Sequence, residues 1–222
     1  MPALALAELA GTTGTVLDAG CGLGTYVDRL RAGRPDLRVV ALDLSAGMGP
    51  EVVGDVQALP LAEASVDAAL AMHMLYHVPD IAAAVRELRR VVRPGGLLLA
   101  STNGAGDKVE VDQLWAAAAS DLTGRPEPAP AGDGSFTLDD GDLLRTAFDH
   151  VSVQVFDRET VVPEVQPVVA FVDSMRALSA SSLPADVSWD AFLDRVRTRV
   201  TAEVDRHGGW RMTNQVGLFT CR

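Results

Sequence analysis

The stretch 16-VLDAGCGLGTYVDRL-30 joins an apolar run ending in Asp18 to an amphipathic run, through a loop with glycine at positions 20, 22 and 24. The apolar run reads as a buried strand over 15–19 and the amphipathic run as a helix over 24–32. Alternate glycines between them mean a backbone that turns sharply and that a ligand approaches closely. Strand, glycine loop and helix in this order open a doubly wound α/β sheet.

The same alternation continues beyond this unit. Strand patterns fall at 37–42, 66–72 and 96–102, with a helix pattern at 80–92. The runs 38-RVVALDL-44 and 96-GLLLAST-102 are continuously apolar through their centres, as in strands of a parallel sheet covered by helices on both faces. Asp80 suits the N-cap of the helix and 94-PGG-96 its stop. In the second half, 108–121 reads as helix and 123-TGRPEPAPAGDGS-135 as a loop. Helical patterns follow at 138–148, about 167–179 and 187–207, with an alternating strand at 150–157 between the first two. In the last helix Trp189, Leu193, Val196, Val200 and Val204 share one face, and 208-GG-209 ends it. A final strand is expected over 212–222. The length of 222 residues fits a single domain, 1–222.

The formal net charge is -11, with one lysine, Lys108. Nucleic-acid binding draws on Lys and Arg to neutralise phosphates, so this balance disfavours RNA or DNA as substrate. The arginines of 86-RELRRVVR-93 read as the solvated face of a helix. No apolar run is long enough to span a membrane. The opening residues MPALALAELA lack a basic region and contain Glu8, so no signal peptide is expected. Cys21 and Cys221 form no disulfide framework, and a cytoplasmic setting is expected. Oligomeric state stays open, a homodimer included.

A dinucleotide site needs G-x-G-x-x-G facing a pyrophosphate, but here position 25 is Thr and the third glycine comes one residue early. Asp18 repels a pyrophosphate and suits a ligand carrying an ammonium group. Asp43 closes the second strand, where a carboxylate accepts from both hydroxyls of a ribose. S-adenosylmethionine has a ribose, a cationic amino-acid portion and no phosphate.

At these residues the sequence resembles the class I S-adenosylmethionine-dependent methyltransferases, in the broad group that includes the ubiquinone/menaquinone-biosynthesis enzymes. The resemblance rests on 16-VLDAGCGLG-24, 40-VALDLS-45, 54-GDVQALPL-61, 66-VDAALAMHMLYHV-78 and 88-LRRVVRPGGLLLAST-102, in the family's order. It covers 14–103, the cofactor-binding half. It implies a seven-stranded, mostly parallel sheet with an antiparallel last strand and a helical insert between strands six and seven. It also implies that Asp18, Gly20, Cys21, Gly22 and Gly24 face the methionine part, that Asp43 holds the ribose and that Leu44 lies beside the adenine. Asp55 then accepts from the adenine amino group, Val56 offers its N–H, and Met72 and His73 approach the methionine and the sulfonium. Two departures stand out. Residues 45–53 leave room for only a turn or two of the family's second helix, which exposes the adenine. About fourteen residues precede the first strand, so substrate cover is expected from 160–210 helped by 104–135.

Methyl transfer is an in-line displacement, and a protonated acceptor needs a base. His73, Tyr76 and His77 follow the fourth strand and are the candidates. His77 reads equally as a residue that orders its loop, and Tyr76 as an apolar wall. His73-x-x-x-His77 lacks the Glu of H-E-x-x-H, so no metal is expected. Cys21 reads as a small filler of the loop, and Trp115, Phe171, Met175 and Trp189 as core at helical spacing. The function expected is methyl transfer from S-adenosylmethionine to O or N, with carbon in third place, of a small-molecule acceptor. The alternatives are a catalytically silent partner subunit of the same fold and, below that, an RNA methyltransferase.

Overall fold

The structure is a computed structural model, and it describes residues 1–130 and 136–222. Its seven strands are β1 (Thr15–Ala19), β2 (Arg38–Asp43), β3 (Val52–Val53), β4 (Val66–Met72), β5 (Val92–Asn103), β6 (Val151–Val162) and β7 (Trp210–Cys221). They form one sheet in the order β3-β2-β1-β4-β5-β7-β6. Strands β1 to β5 pair in parallel, and β7 runs antiparallel to β5, with Leu98 opposite Cys221 and Asn103 opposite Val216. The expected sheet, last strand included, is the one observed.

The chain divides into two compact units: Met1–Gly104 with Asp133–Val155 and Val216–Arg222, and Ala105–Gly132 with Phe156–Gln215. In the first unit β1, β4 and the second half of β5 are buried along nearly their whole length. Leu17 and Leu98 face one core layer, Leu70 and Leu99 the other. All four are fully buried, and each truncation to alanine costs about 2–5 kcal/mol. Helix α2 (Thr25–Gly33) buries Val27 and Leu30 against the second of these layers. Helix α3 (Ile81–Val91) buries Ala84, Val85, Leu88 and Val91 against the first. Asp80 caps α3 as expected, accepting from the Ala83 N–H at 2.8 Å.

Two local departures have physical reasons. Helix α1 (Pro2–Glu8) was not legible as a helix; it starts on Pro2, where a missing N–H costs nothing, and buries Ala5. The 94-PGG-96 stop does not interrupt β5. The ladder shifts register between Val66 and Ala68, and the strand runs through the glycines, Gly95 at φ +76°. Between β2 and β3 there is only a 3₁₀ turn, Ala46–Met48, so the expected shortening of the second helix is present.

The second unit builds its own core. Helices α4 (Val109–Thr123), α6 (Val165–Ser174) and α8 (Trp189–His207) pack through Trp115, Val168, Val172, Phe192, Val196, Val200 and Trp210. Trp115, Trp189 and Phe192 form an aromatic cluster with ring centroids 4.3–5.5 Å apart. The helix read over 167–179 is interrupted at Met175, which separates α6 from α7 (Arg176–Ser179). Within it Met175 packs on the core as expected, whereas Phe171 is 39% exposed. In the first unit, 138–148 resolves into a 3₁₀ turn and α5 (Gly141–Arg145). The end of the loop read over 123–135 lies outside the described residues.

Candidate functional site

The carboxyl ends of β1, β2 and β4 meet at one edge of the sheet, and the glycine loop is fastened there. Gly20 and Cys21 donate their N–H groups to the Leu42 carbonyl at 2.8 and 3.0 Å. Gly22 donates to Asp43 Oδ2 at 2.9 Å, and Ser45 donates to Asp43 Oδ1 at the same distance. Gly20 and Gly22 both have positive φ (+72° and +52°), which favours glycine. They differ in surroundings. A Cβ on Gly20 would lie 2.9 Å from Met74 Cβ, whereas a Cβ on Gly22 would meet nothing within 4 Å. Gly24 is equally open and stands at the N-cap of α2.

Beside the loop lies a cavity of about 390 Å³. Its lining includes Gly20, Gly22, Asp43, Leu44, Asp55, Val56, His73 and His77 from the expected set, and Met48, Gln57, Met74 and Pro79 from outside it. Asp18, Cys21, Gly24, Met72 and Tyr76 are not on its wall. Cys21 and Gly24 instead line a second cleft of about 370 Å³ across Gly22 and Met48, between α2 and the 46–51 turn. Met72 is buried in a core layer. Leu44 is 70% exposed and Met48 44%, so the reduced second helix does leave the rim open.

Asp18 sits in β1 two positions before Gly20, 1% exposed, and its Oδ2 has no hydrogen-bond partner among the described residues. Burial first, and then the Asp43 carboxylate, push its carboxyl up to about 7. The same buried charge acts on its neighbour. Burial, then Asp18, then Asp43 raise the Cys21 thiol above its ordinary value, which keeps it a thiol and argues against a nucleophile.

On the opposite wall Asp55 caps the 3₁₀ turn Val56–Ala58, accepting from the Gln57 N–H at 2.8 Å. His73 closes β4 at φ +55°, an uncommon conformation for a residue with a Cβ. Its N–H is held by the Ser101 carbonyl at 3.0 Å and Ser101 Oγ at 3.1 Å. Tyr76 packs edge-on against His77 at 4.5 Å between ring centroids and lies 6.5 Å from His73. The three candidate bases therefore form one cluster after β4. Among the described residues, no group of three or more His, Cys, Asp and Glu side chains is placed to hold a metal ion, and no helix is long and apolar enough to cross a membrane.

Gln57 and Met74 were missed by sequence reasoning. Gln57 lies inside the 54-GDVQALPL-61 run, directly after Val56, and its position two residues after Asp55 was the available signal. Met74 carried no signal, because its contact with Gly20 is long-range.

The site fits a ligand that carries an ammonium group and approaches the backbone closely. The orphaned Asp18 oxygen asks for a donor, and the open Gly22 and Gly24 are positions that a side chain would fill. Comparison with known proteins agrees. Residues 17–100 match the family described as methyltransferase domain. A malonyl-[acyl-carrier protein] O-methyltransferase of Yersinia pestis is 39% identical over 111 residues, which is 45% of this chain and 40% of that protein. Its counterpart in Xylella fastidiosa is 29% identical over 180 residues, 75% of this chain and 58% of that protein. The chain thus spans about two fifths to three fifths of these relatives. Among solved structures, YcgJ of Bacillus subtilis aligns with a TM-score of 0.55 at 17% identity, over 98% of this chain and 96% of that one. A phosphoethanolamine N-methyltransferase of Haemonchus contortus, in complex with S-adenosylhomocysteine, gives 0.53 at 15% over 98% and 51%. The [4+2]-cyclase SpnF gives 0.52 at 18% over 100% and 81%. At these identities the likeness is one of fold, and the reaction has to be argued from the site.

Proposed function

We propose that this chain, whose residues 17–100 match the methyltransferase domain family, is a class I S-adenosylmethionine-dependent methyltransferase that transfers a methyl group to an oxygen or nitrogen atom, and in third place a carbon atom, of a small-molecule acceptor. The observation that carries the reading is Asp18, a buried carboxyl group at the foot of a glycine loop with one oxygen unpartnered among the described residues. That arrangement suits an ammonium and works against a phosphate.

S-adenosylmethionine supplies a methyl group on a sulfonium, an electrophile open to in-line displacement. In this reading Asp18 pairs with the ammonium, and the backbone from Gly20 to Gly24, Cys21 included, surrounds the amino-acid part. Asp43 accepts from the ribose hydroxyls while still holding Gly22 and Ser45; its two oxygens offer about four lone pairs. Leu44 covers one face of the adenine, Asp55 accepts from its amino group and Val56 donates to the ring. Met72 and His73 approach the methionine end. His77, or His73 beside it, takes the proton from the acceptor as the new bond forms, with Tyr76 packing against the imidazole.

The cavity wall also bears on the acceptor. Its ionisable members are Asp43, Asp55, His73 and His77, with neither Lys nor Arg among them. With Asp43 and Asp55 taken by the ribose and the adenine, His73 and His77 are the ionisable groups of this wall left for the acceptor. A hydroxyl or amine is an acceptor that a histidine can deprotonate as it attacks. The net charge of -11 favours a small molecule over a nucleic acid. The family match ends at residue 100, and the acceptor determinants are assigned to 104–135 and 160–210. Cys21 and Cys221 are both free thiols, in keeping with a cytoplasmic setting.

The test is calorimetric titration with S-adenosylhomocysteine, with NAD in a parallel cell. Micromolar binding of the first alone, about -8 kcal/mol, supports the reading and justifies screening phenols, alcohols and amines as acceptors. NAD binding, or silence toward both, overturns it.

A further inference from the structure

Gln57 ties Asp55, on the cavity wall, to the start of α3. Its Nε2 donates to both oxygens of Asp55, at 3.1 Å to Oδ1 and 3.0 Å to Oδ2, while its backbone N–H donates to Oδ1 at 2.8 Å. Its Oε1 accepts the N–H of Asp80 at 3.0 Å. Both ends of the carboxamide are thereby used with their polarity satisfied, and Gln57 itself lines the cavity.

The segment that carries it is clamped to α3 from one end to the other. Glu87 accepts the Leu59 N–H at 2.8 Å, and Arg90 donates to the Leu59 and Leu61 carbonyls at 3.0 and 2.8 Å. Arg90 is in turn held by Glu87. Gln57 is the bond at the cavity end of this clamp. A carboxylate offers about four lone-pair directions. Gln57 occupies three of those on Asp55, which leaves about one and fixes where it points. Without the two side-chain bonds only the Gln57 backbone N–H on Oδ1 remains, and nothing from Gln57 holds Oδ2, whose terminal torsion is broad.

We propose that Gln57 is a specificity-determining positioning residue: it holds the Asp55 carboxylate so that its remaining acceptor direction selects a nucleobase with an exocyclic amino group over one with an oxo group. The inference rests on the proposed cofactor. An amino group donates to the fixed oxygen, whereas an oxo group sets two acceptors against each other. Discrimination of this kind needs a fixed partner, because a mobile carboxylate swings away from the wrong base.

The experiment compares dissociation constants for S-adenosylhomocysteine and S-inosylhomocysteine, which differ in that one group. Wild-type protein is expected to prefer the adenine form by at least about tenfold. In Gln57→Leu the preference is expected to fall to about threefold or less. In Gln57→Glu the second carboxylate repels Asp55 at pH 8, and the preference is expected to return toward pH 5, as the new carboxyl protonates and donates to Asp55. Protonation of Asp18 weakens both ligands alike and cancels in the ratio. A Gln57→Leu protein that weakens both ligands equally and keeps the wild-type ratio overturns the proposal. Should that variant fail to fold, a pH-independent, wild-type ratio in Gln57→Glu does the same. Wild-type protein that binds both ligands equally overturns this proposal alone, whereas wild-type protein that binds neither overturns the cofactor reading beneath it.

Discussion

The Gly22 N–H donates to Asp43 Oδ2 at 2.9 Å, so the carboxylate assigned to the ribose is also the fastener of the glycine loop. Ser45 donates to the other oxygen. Removing this side chain therefore affects two things at once. Asp43→Ala is expected to weaken S-adenosylhomocysteine by about a hundredfold, the loss of two charge-assisted hydrogen bonds at about 1.5 kcal/mol each. It is also expected to lower the thermal midpoint, because two backbone N–H groups lose their acceptor. Calorimetry and a melting curve on the same sample separate the effects. A lower midpoint with undiminished affinity leaves Asp43 as a fastener and removes it from the ribose.

Gly20 and Gly22 make opposite predictions despite their shared positive φ. A methyl on Gly20 collides with Met74, so Gly20→Ala is expected to destabilise the fold by about 1–3 kcal/mol. A methyl on Gly22 has open space around it, and the backbone strain of a left-handed alanine costs about 1 kcal/mol. Gly22→Ala is expected to fold with a nearly normal urea midpoint and to lose ligand affinity at least tenfold, because the methyl occupies the ligand's approach. Full affinity in a folded Gly22→Ala protein shows that nothing comes close to this backbone.

How far the sequence carries can be read from the same residues. Strands β1, β2, β4 and β5 were legible because their apolar runs are continuous, as burial on both faces requires. Asp18 and Asp43 were legible because each ends such a run at a fixed distance from the glycines. What stayed hidden depends on contacts remote in sequence. The register shift that lets β5 run through Pro94 and Gly95 is fixed by its pairing with Val66 and Ala68, not by its own residues. Helix α1 is short and apolar on most sides, so periodicity gives no sign of it. Gln57 is polar and lies in a turn, where one sequence offers many equivalent residues. Only its bonds to Asp55 and Asp80 single it out.

Asp18 predicts two pH dependences. Its carboxyl lies at about 7 in the folded chain against an ordinary 3.8, so between those values the folded state holds the extra proton. Stability contributed by this group therefore falls as pH rises from about 4 to 7, and is level above that. Asp18→Asn removes the dependence, and at pH 8 it is expected to be more stable than wild type by on the order of 4 kcal/mol in the absence of ligand. Ligand binding runs the other way. An ammonium favours the ionised carboxylate, so wild-type affinity for S-adenosylhomocysteine is expected to rise toward tenfold per pH unit between 5 and 7, whereas Asp18→Asn binds weakly and without that slope. Denaturant titrations and calorimetry at pH 5, 6, 7 and 8 check both. A wild-type affinity that does not change with pH rules out an ammonium partner for Asp18.

His77 and His73 separate by what each variant loses. His77 is exposed at the cavity wall beside Tyr76, so His77→Ala leaves the loop backbone without strain. If His77 takes the acceptor's proton, kcat is expected to fall by about a hundredfold or more while S-adenosylhomocysteine affinity changes by less than threefold. His73 is held through its backbone at a positive φ, and in the proposed function it approaches the methionine end of the ligand. His73→Ala is expected to weaken the ligand as well as the rate, whereas His73→Gly relieves the backbone strain and recovers stability without recovering turnover. With the cognate acceptor in hand, a normal kcat in His77→Ala assigns His77 to packing against Tyr76, and the proton must then leave by way of His73 or solvent.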